Sequence, residues 1–128
     1  MIRIGVTGSI YFENITLVKN VLFSLKTRFG NQEFVIISRG NRSGADKYIK
    51  KYALQFECMY REVNLAHSAY NLYSLLPETY HNKVYHPSHF YTQNKIFAGY
   101  INKCIILDTA KKDPQVKGLI SLLNKFEK

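Results

Sequence analysis

Residues 34–56 read FVIISRGNRSGADKYIKKYALQF, and this stretch decides the fold. Phe34-Val35-Ile36-Ile37 is a short, continuous, β-branched run, the pattern of a strand covered on both faces. It stops at Ser38-Arg39-Gly40-Asn41-Arg42-Ser43-Gly44, a basic loop that carries two glycines. From Ala45 to Phe56, the residues Ile49, Tyr52, Ala53 and Phe56 fall on one side, with Lys47, Lys50 and Lys51 on the other, as in an amphipathic helix. Buried strand, tight loop and surface helix together make the unit from which parallel sheets are wound.

The same unit recurs on either side. Residues 1–7 (MIRIGVT) alternate, with Ile2, Ile4 and Val6 on one face, and run into the turn Gly8-Ser9, which predicts a first strand. Between Asn14 and Phe29 the spacing of Leu17, Val18, Val21, Leu22 and Leu25 predicts a helix with one buried stripe and Gly30 at its C-cap. Glu57 to Val63 reads as a third strand. Helical spacing resumes from Thr92 to Tyr100 through Ile96, Phe97 and Tyr100, and Cys104 to Leu107 is a further apolar strand ending at Asp108. Asp113-Pro114 then starts a last helix, Asp as cap and Pro in the first turn, turning Val116, Leu119, Ile120 and Leu123 inward. Residues 64–90 hold no single period, and we read them as a Tyr- and His-rich insertion with one short helix.

This order predicts an α/β, Rossmann-like three-layer sandwich around a small parallel sheet, with right-handed crossovers giving the strand order 3-2-1-4. In such sheets ligands lie beyond the carboxyl ends of the strands, at the switch point between strands one and four. Thr7 to Ser9, Ser38 to Gly44 and Asp108 to Ala110 would line that crevice.

A chain of 128 residues with 46% apolar content encloses one core, so residues 1–128 are expected to form a single domain. Lys and Arg number 18 against 9 acidic residues, a formal charge of +9 that favours polyanionic partners. Coding bias toward Lys, Asn, Ile and Tyr produces the same excess, so charge alone leaves the partner open. Cys58 and Cys104 sit in apolar runs without CxxC spacing, which predicts reduced thiols and a cytoplasmic protein. No apolar stretch approaches the ~18 residues of a membrane span, so we expect neither secretion nor insertion.

Gly8, Gly40 and Gly44 sit in turns that each feed a helix, whose free N–H groups attract an anion; the alternative is that they serve the turns alone. Neither GxxxxGK[ST] nor GxGxxG is present, which removes the main support for ordinary NTPase or NAD chemistry, and no cofactor is expected. Ser43-Gly44-Ala45-Asp46 fits a capping box, which leaves Asp46 either a cap or a ligand contact. His67, His81, His86 and His89 lack the spacing of a metal site, so no metal is expected. The tyrosines between Tyr70 and Tyr91 could stack bases or pack the insertion onto the core. No Ser-His-Asp or Cys-His pairing stands out; catalysis would fall to Asp46, Asp108 or a histidine of the insertion, and binding is the stronger expectation.

Two segments, RGNRSGADKYIKKYAL at 39–54 and FYTQNKIFAGYINKCIILD at 90–108, together with GVTGS at 5–9, resemble the SLOG superfamily of Rossmann-like domains, in particular DNA-processing protein A (DprA) and small stand-alone phage and bacterial SLOG proteins. Gly40, Arg42, Gly44, Asp46, Ala53 and Leu54 match that family's glycine-rich turn and helix with one residue inserted, and Asn94, Ile96, Ala98 and Gly99 match its second motif. Gln93 and Lys95 replace arginines there, and the glutamate-bearing PGGxGTxxE motif of the related phosphoribohydrolases is absent. The resemblance implies a nucleotide or single-stranded nucleic-acid site built from Gly8, Ser9, Arg39, Gly40, Arg42, Gly44 and Asn94, with Lys47 as a basic flank. Thr7, Ser43, Asp46 and Lys95 complete the set of expected ligand contacts, and a homodimer or higher oligomer is implied as well. Three functions follow as expectations: a single-strand binder, a binder or sensor that sequesters a small signalling nucleotide, and a nucleotide-processing enzyme.

Overall fold

A computed structural model describes residues 1–29, 33–65, 71–76, 88–108 and 114–127. The elements run β1 (Ile2–Gly8), α1 (Ile15–Arg28), β2 (Phe34–Ser38), α2 (Ala45–Gln55), β3 (Met59–Glu62), α3 (Ser88–Tyr100), β4 (Lys103–Leu107) and α4 (Pro114–Lys125). The strands form one sheet in the order β3-β2-β1-β4. Every pairing is parallel, so Gly8, Ser38, Glu62 and Leu107 end at the same edge. The expected α/β class and the 3-2-1-4 order are both observed.

Side-chain alternation along the strands divides the core in two. Ile4, Val6 and Ile36 face α1 and α2, where they meet Val18, Leu22, Ile49 and Tyr52. Val35 and Ile37 face α3 and α4, where they meet Phe97, Ala98, Leu119 and Leu123. On that second face β1 presents Gly5, and a Cβ there would lie 2.6 Å from Ile101 Cδ1 and 2.8 Å from the Phe97 ring. The missing side chain therefore brings the α3 layer down onto the central strand.

Several helix faces differ from those the apolar spacing predicts. Leu17, Ile96, Tyr100 and Ile120 are exposed. On α3 the inward stripe is Gln93, Asn94, Phe97 and Ala98, and two of its four members are amides that a hydrophobic period cannot register. Leu122 takes the place expected of Ile120 on α4, while Leu17 lines a groove with Val21, Leu25 and Ile105.

The caps divide in the same way. Asn14 caps α1, its Oδ1 accepting from the Leu17 N–H at 3.1 Å, and Phe29 closes the other end. Gly30 and Asp113 lie outside the described residues. The capping box expected at Ser43 does not form: Gly44, at φ +71°, is the N-cap of α2, and no side chain bonds the cap. Asp46 is drawn inward instead, away from the helix end.

Helix α3 begins at Ser88 rather than Thr92, within the stretch read as an insertion. Of that stretch, residues 71–76 extend the sheet beyond β3. Ser74 bridges Glu62 in parallel, the Glu62 N–H donates to the Tyr73 carbonyl at 2.9 Å, and the Leu75 N–H donates to the Glu62 carbonyl at 2.9 Å. No helix lies among the described residues between β3 and α3. His67, His81 and His86, with Tyr70, Tyr80 and Tyr85, lie outside the described residues.

A Cβ on Gly8 would stand 1.9 Å from the Leu107 carbonyl oxygen and 2.8 Å from Ala45 Cβ, whereas one on Gly99 meets nothing within 4 Å. Gly8→Ala should therefore destabilise the protein by about 1–3 kcal/mol or more through overpacking. Gly99→Ala, inside α3, should be neutral or stabilising by up to about 1 kcal/mol. Urea denaturation of the two variants checks the contrast.

Candidate functional site

The carboxyl edge of the sheet has a buried floor and an exposed rim. The floor centres on Arg39, whose side chain is wholly buried directly after β2. Its Nε donates to Thr7 Oγ1 at 2.9 Å, Nη1 to Asn94 Oδ1 at 2.9 Å, and Nη2 to the Gly8 carbonyl at 2.8 Å. One guanidinium thus ties the end of β2 to the end of β1 and to α3. Gln93, next to Asn94, donates through Nε2 to the Arg39 carbonyl and, at 2.9 Å, to the Val63 carbonyl, so α3 also holds the ends of β2 and β3.

Asp46 supplies the compensating charge. Its Oδ1 accepts the Thr7 hydroxyl at 2.6 Å and its Oδ2 accepts the Asn41 N–H at 3.1 Å. Thr7 therefore stands between guanidinium and carboxylate, accepting from one and donating to the other. Burial raises the Asp46 pKa above its ordinary value, opposed by the Arg39 charge and by the Thr7 and Asn41 hydrogen bonds.

A second carboxylate, Glu62, is also hidden in this floor. Its Oε2 accepts from the Tyr60 hydroxyl at 2.7 Å, and its Oε1 accepts from Asn71 Nδ2. Asn64 Nδ2 in turn donates to the Gly40 carbonyl at 3.1 Å, linking this cluster to the loop. Burial, with the Glu62 charge beside it, pushes the Tyr60 phenol well above its usual range. The spacing Tyr60-x-Glu62 places both side chains on one face of β3, a signal present in the sequence but not among the expected site residues.

The expected contacts thus fall into two groups. Thr7, Gly8, Ser9, Arg39, Asp46 and Asn94 are buried, and their polar groups engage other parts of the chain. Arg42, Ser43, Lys47 and Lys95 are exposed, and Gly40 and Gly44 are half-buried. The glycine turns are filled by protein: a Cβ on Gly44 would lie 2.3 Å from the Ser9 carbonyl oxygen, and one on Gly40 would lie 2.9 Å from Asn64 Cβ. Gly44 and Gly40 both have φ above +70°, which makes glycine the economical residue at each. Asp108 lies exposed at the end of β4; Thr109 and Ala110 are outside the described residues.

Asn41 was not among the expected contacts. Among the described residues, its Nδ2 is the one buried side-chain polar atom without a hydrogen-bond partner. It sits in the loop between the buried Arg39 and the exposed Arg42. No group of His, Cys, Asp or Glu able to hold a metal ion occurs among the described residues. Cys58 and Cys104 are free and half-buried, and burial pushes the Cys104 thiol up to about 12. No helix among the described residues is long and apolar enough to cross a membrane.

Fold and edge together define a Rossmann-like α/β domain. Neither the protein-family models nor the curated proteins give a match. Two solved structures share the fold. The molybdenum cofactor binding protein of the phototrophic bacterium Rippkaea orientalis is similar at TM-score 0.70 and 13% identity, over 99% of this chain and 72% of that one. The X-ray structure of TM1055, a structural-genomics target, is similar at TM-score 0.64 and 9% identity, over 100% of this chain and 71% of that one.

The geometry separates a fold-bearing arginine from a rim arginine. Arg39→Ala leaves Asp46 buried without its counter-charge and should cost about 3–5 kcal/mol, whereas the exposed Arg42→Ala should stay within about 0.5 kcal/mol. Chemical denaturation checks both. The raised Asp46 pKa also sets a pH dependence. The folded state holds this proton more tightly than the unfolded chain, so the contribution is present below the ordinary value of 3.8 and is lost as pH rises through the raised one. The stability of wild type minus that of Asp46→Asn should therefore fall with rising pH above 3.8. A flat difference would show that Arg39 cancels the effect of burial.

Proposed function

We propose that this protein binds a small phosphate-bearing ligand, a nucleotide or nucleotide-like molecule, against the loop 40–44 at the carboxyl edge of its sheet. The observation that carries the reading is the unpartnered Asn41 Nδ2. A buried donor without an acceptor costs about 1–3 kcal/mol, and a ligand oxygen is the partner such a donor lacks. Arg42 and Lys47, exposed on either side of Ser43 and Gly44, supply positive charge to the same place. Beneath them the Arg39 and Asp46 network holds the loop in position before a ligand arrives.

The shared fold with a molybdenum cofactor binding protein supports a small-molecule site at this edge. Binding is favoured over turnover because both floor carboxylates, Asp46 and Glu62, are buried and hydrogen-bonded within the chain. A binder or sensor that holds and sequesters a nucleotide is the form of this function that fits a preorganised, chemically quiet floor. The DprA-like reading, a site for single-stranded nucleic acid, rests on the net charge of +9, the tyrosines and the motifs that resemble that family's. A homodimer belongs to either reading, and mass measurement in solution tests it.

A thermal-shift series with mononucleotides and a fluorescent single-stranded oligonucleotide separates the two. At ligand concentrations about a hundredfold above Kd, a mononucleotide should stabilise the fold by about 2.7 kcal/mol, with the gain lost in Arg42→Ala/Lys47→Ala. If no mononucleotide raises the melting temperature while the oligonucleotide binds with steep salt dependence, the nucleic-acid reading replaces this one.

A further inference from the structure

Beyond β1 the chain makes a tight turn that carries an aromatic ring to the rim. Ser9 organises it through both of its oxygens. Its Oγ accepts the Tyr11 N–H at 3.0 Å, and its carbonyl accepts the Phe12 N–H at 3.2 Å and the Ala45 N–H at 3.0 Å. Phe12 is buried in the core under α1 and α2, so the turn is anchored on its far side as well. Between these anchors Tyr11 stands 53% exposed.

A lone exposed tyrosine needs no explanation by itself. This one differs in where it stands and in what its backbone touches. A Cβ on Gly44 would lie 2.4 Å from Ile10 Cα, so the turn of Tyr11 and the loop of Arg42 press backbone to backbone. The turn that carries Tyr11 and the loop that carries Arg42 therefore meet at the carboxyl end of β1, a central strand of the sheet. An aromatic face on a locked backbone beside a positive loop matches a flat ring joined to a phosphate.

We propose that Tyr11 is the stacking platform for the ligand's planar ring, a purine, pyrimidine or comparable heteroaromatic system, while its phosphate lies against the loop at Arg42. The assignment rests on the phosphate-site reading given above and adds the class of group attached to the phosphate. The hydroxyl of Tyr11 has no part in it; the ring face does.

The test is isothermal titration of the full chain with AMP, GMP, CMP, UMP and inorganic pyrophosphate, comparing wild type with Tyr11→Ser and Tyr11→Phe at matched melting temperature. Loss of the ring in Tyr11→Ser should weaken the tightest mononucleotide about tenfold or more, leaving pyrophosphate within about twofold, and Tyr11→Phe should bind as wild type does. Unchanged mononucleotide affinity in Tyr11→Ser overturns the stacking role and leaves the phosphate site standing. So does wild-type binding of pyrophosphate without any mononucleotide. Equal loss of pyrophosphate in Tyr11→Ser, or loss in Tyr11→Phe, also overturns it, because the effect would then lie in the loop or the hydroxyl. Absence of binding by every probe to wild type removes the phosphate site and the stacking role together.

Discussion

A guanidinium keeps its charge inside a protein, so a wholly buried arginine obliges its surroundings to supply acceptors in its own plane. Around Arg39 those acceptors are Thr7 Oγ1, the Gly8 carbonyl and Asn94 Oδ1, drawn from the first strand and the third helix. The remaining geometry of the carboxyl edge follows from that demand. Asp46, in the first turn of α2, faces inward to the Thr7 hydroxyl and the Asn41 N–H, while the N-cap of that helix is Gly44, which has no side chain to bond it. Asn94 must face the sheet, and its neighbour Gln93 then reaches the Arg39 and Val63 carbonyls.

This arrangement separates buried, mutually bonded groups from exposed ones. The charged and polar groups of the floor are engaged with one another and hold three strand ends in register with two helices. The exposed groups Arg42 and Ser43, in the loop, and Lys47, in the first turn of α2, stand on the base that the floor provides. Glu62 performs a related service at the sheet edge. Its side chain gathers Tyr60 and Asn71 while its backbone binds Tyr73 and Leu75, so the segment 71–76 is tied to the same base.

Much of the architecture was legible in the linear pattern. Continuous apolar runs at Val35–Ile37 and Cys104–Leu107 signalled strands, the first buried and the second half-buried at the sheet edge, and the handedness of crossovers then ordered them. The helix faces were read well where the inward stripe is apolar, as at Val18, Leu22 and Leu25, and poorly on α3, where Gln93 and Asn94 face inward. Polar residues buried for their hydrogen bonds look in a sequence like solvent-exposed ones. The site divided along the same line. That the turns at Gly8, Gly40 and Gly44 gather at one edge of the sheet was legible, yet Arg39 and Arg42, three residues apart in one basic loop, could not be told apart.

By itself the sequence determined the class of fold and the strand order, because periodicity and chirality act locally and each strand-loop-helix unit carries its own signal. Only the tertiary structure decided which cation is internal and which faces solvent, and which amide is left without a partner. Those outcomes depend on contacts between residues as far apart as Thr7, Arg39 and Asn94. Burial is a property of the assembled layers, and it is burial that sets Arg39 to bonding its own chain while Arg42 faces solvent.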